Sequence, residues 1–283
     1  YSGWYPIFLR KEEAVAKKRI NGKLRLLTAL HHGGDEKTGS TPMLRAIDVI
    51  CDGTRVRVPY ISGNAIRGRL RRLLYHDLLE QCGIDAKAVP KKAIHILVSG
   101  GVLELGKSSG SIDLNIRNRV RDTIPLARLL GCSIGNQILS GSLIVGHAVP
   151  IARETAGTMV PATDAPLLPI RELTGSEFIT RRDEVREREE DEAAVQMKVE
   201  FEVLLPGVEL FHYFQLEDDD VLCESTLARA ISLWKSSPYI GGRSSSGFGE
   251  MHLEYAHELN DGPYMEFLVK NKDAIASLIE ELG

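Results

Sequence analysis

The chain has 283 residues, 43% of them hydrophobic and 26% charged, and its formal net charge is -4. That length can bury a full core, and the small negative charge argues against a protein that coats nucleic acid with its whole surface. A local basic groove is still compatible with it, because acidic residues concentrate in Asp183 to Glu192 and in Glu217 to Asp220.

The cysteines and the apolar runs narrow the class of protein further. Cys51, Cys82, Cys132 and Cys223 are widely spaced, without a CxxC pair or a Cys/His cluster, so we expect reduced thiols, no metal and no cofactor. No apolar run reaches the roughly 20 residues that cross a bilayer, and Tyr1 to Arg10 lacks a signal-peptide pattern. These features predict a cytoplasmic protein with no membrane partner.

The first part of the chain predicts a strand, a loop and a hairpin. Lys23 to Leu30 has the pattern of a strand, and a glycine-bearing polar loop follows from His31 to Thr41. Leu44 to Cys51 and Arg55 to Ile61 predict two strands, because Asp52-Gly53 between them favours a tight hairpin turn.

An amphipathic helix comes next, after a turn at Ser62-Gly63-Asn64. Its apolar residues recur every three or four positions and predict one buried stripe, formed by Ile66, Leu70, Leu73, Leu74 and Leu78. Its first turns carry Arg67, Arg69, Arg71 and Arg72. Guanidinium groups beside the unpaired N–H groups of a helix N-terminus attract phosphate. The alternative is a basic helix face that is simply solvated.

The middle of the chain is less regular. Ile94 to Val98 has the composition of a strand, and Ile112 to Leu130 has helical spacing that Gly131 would end. Ser142 to Ile151 is extended and apolar, and a loop rich in Pro, Thr and Ala follows it through Pro169.

The last part of the chain predicts a second hairpin and two helices. Phe178 to Glu192 is expected to project from the surface, whereas Gln196 to Leu205 and Glu209 to Leu216 alternate and predict paired strands around Pro206-Gly207. A helix from Val221 to Trp234, a strand from Glu250 to Tyr255 and a peripheral helix from Tyr264 to Leu282 complete the chain.

This order of elements favours an α+β protein with a mainly antiparallel sheet. A ferredoxin-like (RRM-like) core with large insertions fits better than a doubly wound sheet, since regular alternation of strand and helix is missing.

Gly241 to Gly249 is a second candidate phosphate site. Its four glycines, Arg243 and three serines combine a closely approachable backbone with hydroxyl donors and one guanidinium. A flexible connection between strands is the alternative.

Two segments carry a resemblance to a known family. V-P-Y-I-S-G-N-A-I-R-G-R-L-R (Val58 to Arg71) and Y-I-G-G-R-S-S-S-G-F-G (Tyr239 to Gly249) resemble the RAMP superfamily of CRISPR-associated proteins, although Ser62 replaces the proline of the family motif and Asn64-Ala65 replaces its two serines. L-T-A-L-H-H-G-G-D (Leu27 to Asp35) and R-A-I-D-V (Arg45 to Val49) are similar to the backbone subunit of class 1 effector complexes, nearest the type III and type IV forms.

The resemblance spans Lys23 to Tyr255 and implies one RAMP-type domain over residues 1–283. Its core would comprise residues 23–82, 137–151 and 196–255, with insertions at 83–136 and 152–195, and Glu172 to Ala194 would form a thumb. The implied partners are guide RNA (crRNA), further copies of the chain in a head-to-tail filament, other effector subunits, and target nucleic acid paired to the guide. The implied RNA-binding residues are Ser62, Asn64, Arg67, Arg71, Gly241, Gly242, Arg243, Ser244 and Ser245, with Arg45, His32, Arg181 and Arg182 in addition.

The resemblance also bears on catalysis. Type III backbone subunits cut RNA with an aspartate in the loop after the first strand, and alignment on Pro42 puts Ser40 at that position. A hydroxyl cannot hold a divalent metal as a carboxylate does, so we expect a subunit without catalytic residues. Asp35 could reach the same place from a mobile loop.

Two enzyme alternatives stay open. His31 and His32 could serve as general acid or base in a RAMP-type endoribonuclease that processes guide RNA or cleaves target RNA. Gly101 to Ser108 satisfies the pattern of a nucleotide-binding P-loop, and Ile94 to Val98 would be its preceding strand, but the interior residues of that segment read as a strand.

Overall fold

The structure is a computed structural model that describes residues 18–39, 41–101, 114–135, 137–182, 196–257 and 260–283. In the first half the elements are β1 (Lys18–Leu26), β2 (Gly33–Thr38), β3 (Thr41–Leu44), β4 (Ala46–Cys51), β5 (Thr54–Pro59), α1 (Gly63–Cys82), α2 (Lys91–Ile94), α3 (Leu114–Thr123), α4 (Pro125–Leu130), β6 (Cys132–Ile134) and β7 (Gln137–Leu139). The second half contains β8 (Leu143–Val145), β9 (Val149–Pro150), β10 (Thr174–Arg182), β11 (Gln196–Leu204), β12 (Glu209–Leu216), α5 (Val221–Ser236), β13 (Met251–Tyr255) and α6 (Gly262–Glu281).

The central sheet has the strand order β13-β1-β12-β8, and β9 pairs with β12 along the same edge as β8. All of its pairs are antiparallel. Along the chain, β1, α1, β8, β12, α5 and β13 form a βαββαβ unit, which is the ferredoxin-like arrangement. The predicted α+β fold is therefore confirmed.

One face of this sheet is buried against helices. Alternate residues of β1 and β12 point to that face, so Ile20, Leu24, Leu210 and Phe214 are fully buried. They share one apolar core with residues of α1, α5 and α6. The predicted stripe of α1 lies in this core, since Ile66, Leu70, Leu74 and Leu78 are all inaccessible to solvent. The sheet and the helices thus hold α1 in a fixed position.

Several local predictions agree with the structure. Asp52 and Gly53 both have positive φ angles, 48° and 74°, and join β4 to β5 in a tight hairpin turn. Ser62 caps α1 through its Oγ, which accepts a hydrogen bond from the Ala65 N–H at 3.2 Å. Gly83 ends the helix in the left-handed conformation, with a φ of 65°.

The predicted hairpin between residues 196–205 and 209–216 is wrong. β11 pairs with β10 in a separate two-stranded ladder, from Thr174 opposite Leu204 to Arg182 opposite Gln196. β12 has β1 on one side and β8 with β9 on the other, so both of its edges are already occupied. The boundary predicted between residues 195 and 196 therefore separates two paired strands. Residues 183–195, which include most of the predicted thumb, lie outside the described residues.

Three further predictions also need correction. The predicted loop from His31 to Thr41 contains β2 and the start of β3, which form a hairpin, and β2 carries no apolar alternation to signal it. Ile94 to Val98 is helical, since α2 continues as a π-helical turn, so the proposed P-loop lacks its preceding strand. The helix predicted up to Leu130 is broken before Pro125, where Ile124 is extended.

The last helix, α6, is not peripheral. Its residues Tyr264, Leu268, Ile275, Leu278 and Ile279 are buried, and it packs against α1 and α5. Among the described residues, no helix is long and apolar enough to cross a membrane.

Candidate nucleic-acid interface

The two predicted phosphate sites meet in one cleft. The first turns of α1, the last residue of the β1–β2 connection and the glycine-rich loop line a cavity of about 310 Å³. Its lining includes His32, Asn64, Arg69, Arg72, Tyr239, Gly241 and Ser244. Four of the predicted site residues, His32, Asn64, Gly241 and Ser244, are thus brought together although they are far apart in the sequence.

The glycine-rich loop is attached by its backbone to the segment that follows β1. The Gly242 N–H donates to the His31 carbonyl at 2.8 Å, and the Gly249 N–H donates to the Ala29 carbonyl at 2.9 Å. A Cβ at Gly249 would lie 1.9 Å from the Ile240 carbonyl oxygen, and its φ is 79°. Only glycine fits this position, so the composition of the loop reflects its close packing.

Arg243 links this loop to the β10–β11 ladder. Its guanidinium carbon lies 4.2 Å from the centre of the Phe201 ring, which is a cation–π contact. Phe201 also meets the rings of His31 and Phe248 edge-on, at 5.1 and 5.4 Å. Arg243 is half-buried, whereas Ser244 and Ser245 beside it are exposed.

Arg67 and Arg71 are directed into the protein. Arg71 is 6% exposed, and its Nη2 donates to the carbonyls of Leu130 at 3.0 Å and Gly131 at 2.7 Å. Arg67 donates to the Leu130 carbonyl at 2.8 Å and also to the Leu143 carbonyl. Burial lowers the pKa of both guanidinium groups. These side chains donate hydrogen bonds to carbonyl groups at the end of α4, which have no partner within a helix, and Arg67 also donates to one carbonyl of β8. Their position does not support the predicted phosphate contacts.

Other arginines are available at the cleft. Arg72 is exposed and has no hydrogen-bond or ion-pair partner among the described residues. Arg69 is half-buried and donates to the backbone and side-chain oxygens of Ser237, both at 2.7 Å. Arg45, beside His32, is half-buried, and its Nε is buried without a partner among the described residues. Nε of Arg69 and Nη1 of Arg71 are likewise buried without a partner among the described residues, so this feature does not by itself distinguish Arg45 as an anion contact.

The N-terminus of α1 is less open than the sequence predicted. The Ser62 N–H donates to Nε2 of His32 at 3.3 Å, and the Gly63 N–H donates to Nδ1 of His147 at 3.0 Å. Together with the Ser62 cap, these bonds already satisfy three of the donors that we expected to bind phosphate. Sequence reasoning missed His147, which comes from the β8–β9 connection and which no local pattern marks.

The two adjacent histidines are poorly suited to acid–base catalysis. Nδ1 of His31 lies 2.7 Å from the Glu202 carbonyl, and this ring is 8% exposed. Burial, with smaller contributions from Arg45 and His31, lowers the pKa of His32 to about 4. Since Nε2 of His32 accepts a backbone hydrogen bond, the ring is neutral near pH 7 and its proton is on Nδ1.

The burial of two histidine rings, those of His32 and His212, predicts that the protein loses stability in acid. Burial also lowers the pKa of His212 to about 3, below the roughly 6.5 of an unfolded chain. Between these values the unfolded state binds more protons, so the free energy of unfolding should be constant above about pH 6.5 and fall as the pH drops towards 4. Urea unfolding at pH 7.5 and pH 5 should show a smaller decline in His32→Gln and His212→Gln than in the wild type.

A matched control for this measurement is His76→Gln, since His76 is exposed on α1. It should lose as much stability between the two pH values as the wild type. Equal losses in all four proteins would contradict the proposed role of the two buried rings.

Four of the residues named from the sequence lie wholly or partly outside the described part of the structure. Arg181 and Arg182 belong to β10 and Asp35 to β2, but their side chains are outside the described part of the structure, as is the whole of Ser40. Within the residues that are described, no three His, Cys, Asp or Glu side chains are grouped so that they could hold a metal ion.

Comparisons with known proteins agree with this fold. No curated protein matches the chain. Among solved structures, a chain of "Type IV-B CRISPR Complex" is similar with a TM-score of 0.60 and 20% sequence identity, over 84% of this chain and 90% of that one. At that identity the likeness concerns the fold. The model of the RAMP superfamily matches residues 23–252, which is most of the sequence, and the chain therefore belongs to the RAMP superfamily.

Proposed function

We propose that this protein is an RNA-binding backbone subunit of a multisubunit CRISPR effector complex and that it holds guide RNA without cutting it. The observation that carries the proposal is the cleft in which the first turns of α1 meet the glycine-rich loop. The family membership and the fold of a chain from "Type IV-B CRISPR Complex" support it.

The chemistry of the cleft suits a sugar-phosphate backbone. Arg72 and Ser244 line it and are exposed, and Arg45, which lies beside His32 but outside the lining, would be a further contact. Arg243 lies just beyond, with one face of its guanidinium on Phe201. Contacts to phosphate and sugar carry no sequence information, so the subunit would bind any guide and leave its bases free to pair with a target.

In this function the subunit would act as one of several copies along the RNA, together with other effector subunits. The β10–β11 ladder is the candidate base of the thumb, and Arg181 and Arg182 at its far end would be further RNA contacts. Phe201 of β11 contacts Arg243 of the glycine-rich loop. The β10–β11 ladder and the glycine-rich loop are therefore in contact, which supports a thumb that begins beside the candidate phosphate site.

Binding of labelled single-stranded RNA of mixed sequence tests the proposal. The wild type should bind in a strongly salt-dependent way, because counterions are released from the RNA. The double variant Arg72→Ala, Arg243→Ala should bind about tenfold more weakly or worse, because charge-assisted contacts contribute on the order of 1 kcal/mol each. Its plot of log affinity against log salt should be shallower by about 1.4, since each phosphate contributes about 0.7 for single strands.

A matched control is the double variant Arg153→Ala, Arg171→Ala, which removes two exposed arginines from outside the cleft. It should bind like the wild type. The proposal is wrong if the wild type does not retain RNA, or if the two double variants bind equally well. The RNA should also stay intact with and without Mg²⁺, and cleavage that disappears in His32→Ala or Asp35→Ala would establish the ribonuclease alternative.

A further inference from the structure

The cleft contains a second kind of group besides its arginines. His32, Asn64 and Ser244 are uncharged side chains that form hydrogen bonds, and they line the same cavity as Arg69 and Arg72. Phosphate binding is served by the guanidinium groups, which form the stronger charge-assisted bonds. The uncharged side chains therefore suit a different part of the ligand.

Two of these side chains have hydrogen-bonding capacity to spare. Nε2 of His32 is occupied by the Ser62 N–H at 3.3 Å, which leaves Nδ1–H as the donor of the ring. No described residue is a partner of that donor. Asn64 is exposed at the second position of α1, and its amide also has no partner in the described part of the chain. An amide both donates and accepts.

The amide of Asn64, which accepts as well as donates, matches one group of a nucleic-acid backbone, and the Nδ1–H of His32 can donate to the same group. Phosphate oxygens of the backbone only accept hydrogen bonds, whereas the ribose 2′-hydroxyl both donates and accepts, and it is the group that distinguishes RNA from DNA. A cleft that makes no contact with the bases can still distinguish ribose from deoxyribose. We propose that His32 and Asn64 bind ribose 2′-hydroxyls in this cleft and so make the protein select RNA over DNA, an inference that rests on the proposed RNA-binding function.

The test compares dissociation constants for one sequence made as RNA, as DNA and as 2′-fluoro RNA. The fluoro form keeps the sugar pucker of RNA but cannot donate a hydrogen bond, so it separates the hydroxyl from the shape of the strand. The wild type should bind RNA about 3- to 10-fold more tightly than 2′-fluoro RNA, as expected for the loss of one or two hydrogen bonds. DNA should bind at least as weakly as the fluoro form.

Asn64→Ala should reduce the preference for RNA over 2′-fluoro RNA by about 2- to 5-fold and leave the affinity for DNA unchanged. His32→Gln should act in the same direction, but it also removes a bond to the backbone of α1, so Asn64→Ala is the decisive variant. The control Arg72→Ala should weaken RNA and DNA binding by the same factor, because phosphates are common to both.

The possible outcomes separate the two proposals. If the wild type binds RNA, 2′-fluoro RNA and DNA equally well, or if Asn64→Ala weakens all three alike, the cleft does not read the 2′-hydroxyl, and the RNA-binding function stands without this selectivity. If the wild type binds no RNA at all, the proposed function is wrong and this inference falls with it.

Discussion

Replacement of Asp77 by alanine is expected to lower the free energy of unfolding by about 3–5 kcal/mol. Asp77 is 4% exposed on α1, and it accepts hydrogen bonds from both neighbouring helices. Nη2 of Arg229, on α5, lies 2.6 Å from its Oδ1, and the hydroxyl of Tyr264, on α6, donates to its Oδ2 at 3.0 Å. The alanine variant would leave the arginine and the buried hydroxyl without this acceptor.

The size of this effect depends on the interactions that Arg229 keeps in the Asp77→Ala variant. Its side chain is 21% exposed and also lies 3.4 Å from Asp261, so part of its charge is compensated in the variant. We therefore expect a value near the lower end of the range. Tyr264→Phe should cost only about 0.5–1.5 kcal/mol, since one hydrogen bond is lost and the ring is kept.

Urea unfolding followed by circular dichroism measures these differences. Glu80→Ala is the matched control, because Glu80 is an exposed acidic residue of the same helix, and it should change the stability by no more than about 0.5 kcal/mol. A loss in Asp77→Ala no larger than that of the control would show that the three helices do not depend on this carboxylate.

Two neighbouring arginines of α1 are expected to behave in opposite ways. Arg71→Met should lower the free energy of unfolding by about 1–3 kcal/mol, because the buried Gly131 carbonyl loses its donor. Arg72→Met should leave the stability within about 0.5 kcal/mol, since this side chain is exposed. Methionine keeps most of the aliphatic stem in both variants, so lost packing contributes little to either difference.

Binding of RNA by the same two variants should show the reverse order. At a temperature where Arg71→Met is fully folded, it should bind RNA like the wild type, whereas Arg72→Met should bind more weakly. Thermal unfolding and RNA titration of both proteins measure the two properties. A stable Arg71→Met variant with weakened RNA binding would contradict the structural role of Arg71 and restore its predicted contact with phosphate.

Much of the fold follows from short-range patterns in the sequence. The alternation in β12, the apolar stripe in α1 and the Asp52-Gly53 turn each reflect a local conformational or burial preference, and each is found in the structure. The order of the elements was enough to predict the ferredoxin-like fold class, although the strand predicted over residues 196–205 belongs to a separate ladder. The motifs of α1 and of the glycine-rich loop were also recognisable, because their residue types are tied to backbone geometry within a few positions.

Tertiary structure alone decided which partner each element takes. The alternation of β11 shows that one face of this strand is buried. The same pattern is compatible with pairing to β10 or to β12, and pairing to β12 is excluded because both edges of β12 are already occupied.

Tertiary structure also decides which arginines of α1 bond within the protein. Arg67 and Arg71 are four residues apart and flank the buried stripe, where the carbonyls at the end of α4 receive them. Arg72 is one position further round the helix and faces the cleft. Spacing along the helix gives the direction of each side chain, but only the position of α4 and of the glycine-rich loop determines which arginine is bonded within the protein and which stays exposed at the cleft.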